Sequence, residues 1–173
     1  MSDAAPDYAG PLEGWRVWRV ARAGDEREFR LLSLAQEVMW PPRDELRASC
    51  RRCRLLPRLR RRSEHPAPAE TCSCGIYATD LERLDWFLDE RTWPTPPYVF
   101  GRVLLWGTVI ECERGWRAAR AYPREIYVAA PPYRLRDDAT PDRIARGLAD
   151  YGVPVHALPV APHAALGAVA QHL

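Results

Sequence analysis

Residues Val99–Glu111 read VFGRVLLWGTVIE, and Trp116–Ala129, WRAARAYPREIYVA, follow them after Arg114 and Gly115. In the first run Val103, Leu105, Gly107 and Val109 alternate with Leu104, Trp106, Thr108 and Ile110. Side chains of a strand point alternately to its two faces, so this pattern predicts a strand with both faces covered. Arg114 and Gly115 supply a turn. The chain then returns as Trp116–Ala121 and, after Pro123, as Glu125–Ala129, which makes the core of an antiparallel meander.

Working outward, Trp15–Val20 and Glu28–Ala35 are expected to pair as a hairpin around Gly24 and Asp25. Arg47–Cys50 and Gly75–Ala78 read as short strands. Thr79 or Asp80 can cap a helix whose face carries Leu81, Leu84, Phe87 and Leu88. Thr140 caps a second helix with Pro141 at its first position, striped by Ile144, Leu148 and Tyr151 and closed by Gly152. Val153–Leu158 reads as a last strand. The sum is an α+β fold: a twisted, mostly antiparallel sheet or small open barrel of about six strands, two covering helices and a pinned loop. Residues 1–13 are expected to be a flexible leader, 14–160 one domain and 161–173 a C-terminal tail that is short helix or frayed.

The chain has 173 residues, enough to bury an apolar core without disulfides. No stretch approaches the roughly 20 apolar residues that span a bilayer, and the N-terminus lacks a basic-then-apolar run, so no membrane contact and a cytoplasmic location are expected. A formal net charge of +2 gives no global field that would draw in nucleic acid. All 25 basic residues are Arg and Asn is absent. That bias accompanies a GC-rich genome and weakens any argument from arginine content alone.

Four of the five cysteines fall within 25 positions, as Cys50, Cys53, Cys72 and Cys74, with His65 among them. In a reducing compartment such a cluster points to metal rather than disulfides. Structural zinc takes four Cys or His ligands from two chain segments, and C-x-x-C with C-x-C supplies them. Cys72 and Cys74, beside Gly75, form one pair. Cys50 is the third ligand, at the end of an expected strand. His65, on a loop stiffened by Pro66 and Pro68, is favoured as the fourth, giving Cys50, His65, Cys72 and Cys74 around Zn2+. The competing set is Cys50, Cys53, Cys72 and Cys74, and the bland alternative is small buried residues without a metal. No H-x-E with a later P-C-x-x-C is present, so the zinc deaminase pattern is missing and a closed site is expected.

Arg51–Arg62 is a basic run without an acidic residue. Guanidinium groups there, Arg58, Arg60 and Arg61 above all, could meet phosphates, while the plain reading is a solvated insertion. Of seven Trp, most are expected in the core, with Trp40 and Trp116, beside turns, lining a ligand site. Cys112, His156 and His163 read as core or surface residues.

The strings HPAPAETCSCGIYA (His65–Ala78) and GRVLLWGTVIECERGWRAARAYP (Gly101–Pro123) resemble segments of short proteins from GC-rich bacteria. The resemblance implies that His65, Cys72 and Cys74 belong to one motif and marks the Arg-rich insertion as the least typical portion. It implies no activity. The sequence therefore reads as a noncatalytic binding module stabilised by structural zinc, with nucleic acid as the expected ligand. A protein-interaction or assembly subunit is the alternative, and a zinc-dependent hydrolase or deaminase the second.

Overall fold

The computed structural model describes residues 10–24, 28–35, 37–50, 65–88, 98–130 and 140–172. In chain order the strands and helices are β1 (Leu12–Arg22), β2 (Phe29–Ser33), β3 (Leu46–Arg47), β4 (Ile76–Ala78), α1 (Leu81–Leu88), β5 (Tyr98–Cys112), β6 (Gly115–Ala129), α2 (Pro141–Gly147), β7 (Val155–Leu158) and α3 (Pro162–Ala170). A short 3-10 turn, Ala149–Tyr151, follows α2. The fold is α+β, an open, mostly antiparallel seven-stranded sheet.

The long pair β5 and β6 runs from Val99 opposite Val128 to Cys112 opposite Gly115. β6 does not break at Pro123 as expected. Arg102 faces Glu125 while Val103 faces Pro123, so the register shifts at this point. Arg124 is the extra residue of a bulge here, beside Pro123, which has no amide hydrogen to donate, and the strand runs on. β1 lies on the other side of β5 and begins at Leu12, three residues before the expected Trp15, with Leu12 opposite Leu105. β2 pairs with the far half of β1, from Trp18 to Arg22.

The outer edge of β6 is shared by three short strands. β4 covers Trp116–Ala118, β3 covers Arg120 and Ala121, and β7 runs parallel to Ile126–Ala129. β3 is shorter than the strand expected over Arg47–Cys50, although the Ala48 amide still donates to the Ala119 carbonyl at 2.8 Å. Beyond β4, Thr79 and Trp15 exchange backbone hydrogen bonds of 2.7 and 2.8 Å, which ties β4 back to β1. Gly115 makes this approach possible: its φ is +124°, and a Cβ added there would lie 2.1 Å from the Ala78 carbonyl oxygen.

Both faces of the sheet are buried. On one, Trp18, Phe29, Leu31, Trp40, Val103 and Leu105 pack beneath Ile144, Leu148 and Tyr151. On the other, Trp15, Val17 and Phe100 pack beneath Leu84 and Leu88 of α1 and Ala165, Leu166 and Val169 of α3. The helix caps read from the sequence are present. The Asp80 carboxylate accepts from the Arg83 amide at 2.9 Å, and Thr140 Oγ1 accepts from the Arg143 amide. Among the described residues a third helix joins the two expected covering helices: small Ala165 and apolar Leu166 and Val169 give the Ala-rich tail a face that seats on Trp15 and its neighbours. Among the described residues no helix is long and apolar enough to cross a membrane.

Candidate metal centre

Two segments that flank the outer edge of β6 meet at one point: the chain leaving β3 toward Cys50 and the loop His65–Gly75 entering β4. Cys50, His65, Cys72 and Cys74 each offer one ligand atom, and these four atoms lie within 4.8 Å of one another. They form a group able to hold a metal ion. The Cys50 and Cys72 sulfurs stand 3.7 Å apart and are not joined by a disulfide. A tetrahedral ion with sulfur ligands at 2.3 Å needs an S···S edge of about 3.8 Å, so this spacing fits. Cys50 and Cys74 are buried, whereas His65 and Cys72 are half-exposed and leave one side reachable for metal entry. Cys53, the competing ligand, lies outside the described residues.

The loop is built to present these atoms. The Cys72 amide donates to the Ala69 carbonyl at 3.1 Å, closing a tight turn. His65 Nδ1–H donates to the Pro66 carbonyl at 2.9 Å, so Nε2 keeps the lone pair a metal takes. That hydrogen bond and the neighbouring Cys72 hold the His65 pKa above its ordinary value, while burial acts against them. Burial pushes the Cys74 thiol up, as do the Cys72 and Cys50 sulfurs beside it. Gly75, at φ +126°, turns the chain away after Cys74, with Pro68 and Arg117 side chains 3.1 Å from where its Cβ would be.

Arg117 of β6 is the organiser that the sequence reading missed. Its side chain is buried, and Nη1 donates to the carbonyls of Ala69 (3.3 Å), Cys72 and Cys74 (3.0 Å). Its Nε donates to Cys112 Sγ at 3.1 Å. One guanidinium thus gathers three carbonyls of the ligand loop. Burial works against its charge, but the hydrogen bond to Cys112 and the nearby thiols and Tyr77 outweigh it and raise its pKa. The signal available in the sequence was a lone Arg between Trp116 and Ala118, where strand alternation places a side chain opposite Tyr77.

The other sequence-derived positions separate. Trp40 does not line a ligand site: it is fully buried, stacks edge-on against Trp18 at 5.5 Å and donates its indole N–H to Ser33 Oγ at 2.9 Å. It packs there because Leu31 and Tyr151 bond its backbone into the core beside β2. Trp116 is half-buried and lines a cavity beside the ligand loop. Arg58, Arg60 and Arg61 lie outside the described residues. His156 pairs with Glu125 at 2.9 Å and His163 with Asp85 at 2.5 Å, both at the surface and away from the metal group. Comparisons of the chain with protein-family models, curated proteins and solved structures found no match.

Proposed function

We propose that the protein is a noncatalytic binding module whose β6 edge is completed by one structural zinc ion on Cys50, His65, Cys72 and Cys74. The observation that carries this reading is the convergence of those four ligand atoms within 4.8 Å, from segments on either side of residues 51–64. Three thiolates and an imidazole match the borderline-soft preference of zinc, and four protein ligands fill its tetrahedron, leaving no position for a reactive water. Among the described residues no carboxylate joins the group as a general base. Strands of two and three residues, β3 and β4, hold little on their own. A metal joining the chain beyond both would fix them against β6, so that binding energy becomes folding energy.

Nucleic acid as ligand draws no support from the described residues. Its basic run lies outside them, Trp40 is buried, and Trp116 alone of the named residues reaches a cavity. The binding role is instead assigned to that cavity, next to the zinc-pinned loop. Metal content by mass spectrometry tests the metal half of the proposal on the wild type, Cys74→Ser and His65→Ala. One zinc per chain, reduced or lost in both variants, is the expected result. Protein purified from zinc-replete medium without metal, or variants that keep a full complement, would overturn it.

A further inference from the structure

Between the edge of β1, where pairing with β2 stops at Trp18 and only Thr79 bridges to Trp15 among the described residues, and the short strands β3 and β4 lies a cavity of about 380 Å³. This lies within the roughly 300–1,000 Å³ range of small-molecule sites. Trp15, Val17, Leu84, Phe87 and Trp116 give it apolar walls. Its charged features are of one sign. Arg16, Arg47 and Arg114 line it, and among the described residues that line it there is no carboxylate.

Arg16 is the unusual member. Its Nη1 donates to the Tyr77 carbonyl and its Nη2 to Ser33 Oγ at 3.2 Å, while its guanidinium carbon sits 5.1 Å over the Trp40 ring. Its Nε–H is buried without a partner, and so is the hydroxyl of Thr79, which lines the same cavity. Burial pulls the Arg16 guanidinium down to about 10, which leaves it charged at neutral pH. Arg47 has Glu45 at 2.7 Å and Arg114 lies over the Trp86 ring, and among the described residues neither Arg114 nor the buried Arg16 has a carboxylate within salt-bridge distance. A plain structural reading makes Arg16 a staple between β1 and β4. That reading accounts for two donors and leaves the buried Nε–H, the net charge and the Thr79 hydroxyl unexplained, and buried polar groups without partners are costly.

We infer that this cavity binds a small amphipathic carboxylate, an apolar body of one aromatic ring or a medium-length acyl chain whose anionic head meets Arg16 and Thr79. The inference deepens the binding-module reading and rests on it. The carboxylate would accept from the buried Nε–H and from the Thr79 hydroxyl and give Arg16 the counter-ion that it lacks among the described residues. The apolar body would lie against the lining side chains of Trp15, Leu84, Phe87 and Trp116.

The test is calorimetric titration of the zinc-loaded full chain with 4-phenylbutyrate and with its uncharged amide, 4-phenylbutyramide. Charge-assisted bonding predicts that the carboxylate binds about 10- to 100-fold tighter than the amide. Arg16→Met should abolish that preference while the amide binds as before, and Ala35→Trp, which fills the cavity from an exposed lip, should abolish binding of both. Equal binding of acid and amide by the wild type, no binding of either up to millimolar concentration, or a preference that survives in a folded Arg16→Met protein overturns the inference. The wild-type comparison decides even if Arg16→Met does not fold. Zinc content measured on the same samples keeps a failure of the metal reading distinguishable from a failure of this one.

Discussion

Replacing Arg117 by Met keeps the length and apolar stem of the side chain and removes the guanidinium that holds the ligand loop. The wild-type group donates to the Ala69, Cys72 and Cys74 carbonyls through one nitrogen and to Cys112 Sγ through another. A nitrogen with two hydrogens cannot serve three carbonyls fully, so two bonds are counted. At about 1.5–3 kcal/mol for each hydrogen bond to a charged group, the sum is about 3–6 kcal/mol. Ala69 and Cys72 are half-buried, and water can replace part of what their carbonyls lose, which brings the estimate to about 2–4 kcal/mol. The loss falls on the geometry of Cys72 and Cys74. Zinc affinity should therefore drop by about 10- to 100-fold, as for other groups that orient metal ligands. Arg117→Lys should recover little of it, because an ammonium is a compact donor that cannot span the same carbonyls. A further contribution has the same sign: three thiolates and one imidazole around Zn2+ would leave one net negative charge near the Arg117 cation. The assay is competition with a chromophoric zinc chelator at fixed pH and salt, with far-ultraviolet circular dichroism to establish that each variant is folded. Folded Arg117→Met protein that binds zinc as tightly as wild type would refute the assignment.

Two other predictions concern the frame around the site. Tyr151 Oη donates to the Trp40 carbonyl at 2.7 Å and accepts from the Leu31 amide at 2.9 Å inside the core. Tyr151→Phe leaves both groups without a partner and should lower stability by about 1–3 kcal/mol in urea unfolding, with the slope unchanged. Burial pushes the Glu125 carboxyl up, but hydrogen bonds from Arg102, Tyr127 and His156 outweigh it and hold its pKa below the ordinary value of 4.5. A depressed carboxylate pKa contributes stability that is present above the unfolded value and is lost as pH falls through the folded one. Glu125→Gln should therefore cost stability at neutral pH and flatten the decline below about pH 4.5, read as melting temperature against pH.

The long pair β5 and β6, the Asp80 and Thr140 caps and the gathering of Cys50, His65, Cys72 and Cys74 were legible because each rests on local pattern: alternation, capping chemistry or ligand spacing. What the sequence did not disclose depends on contacts between distant segments. Pro123 looked like a strand break, and only the register shift opposite Arg102 shows how β6 accommodates it. Trp40 sits in an irregular stretch next to Pro41 and Pro42 that reads as exposed, yet Trp18, Ser33 and Tyr151, from three other places in the chain, bury it. Arg117 looked like one more arginine in an arginine-rich sequence. Its role appears only when the loop two strands earlier is laid across it. Arg16 was hidden in the same way, since a polar residue between Trp15 and Val17 reads as the solvent side of a hairpin until β4 arrives beside it.

The metal group also bears on how this chain can be altered. Cys50 and His65 hold their ligand atoms within 4.8 Å of each other, with fourteen residues, 51–64, between them. Once both ends of a segment are clamped to one ion, its length matters little to the rest of the fold, because loop-closure entropy grows only slowly with length. The position between Cys50 and His65 is thus a natural graft point. With the proposed metal in place, a foreign peptide or a small folded insert could be carried there, and a chelator would release its two anchors.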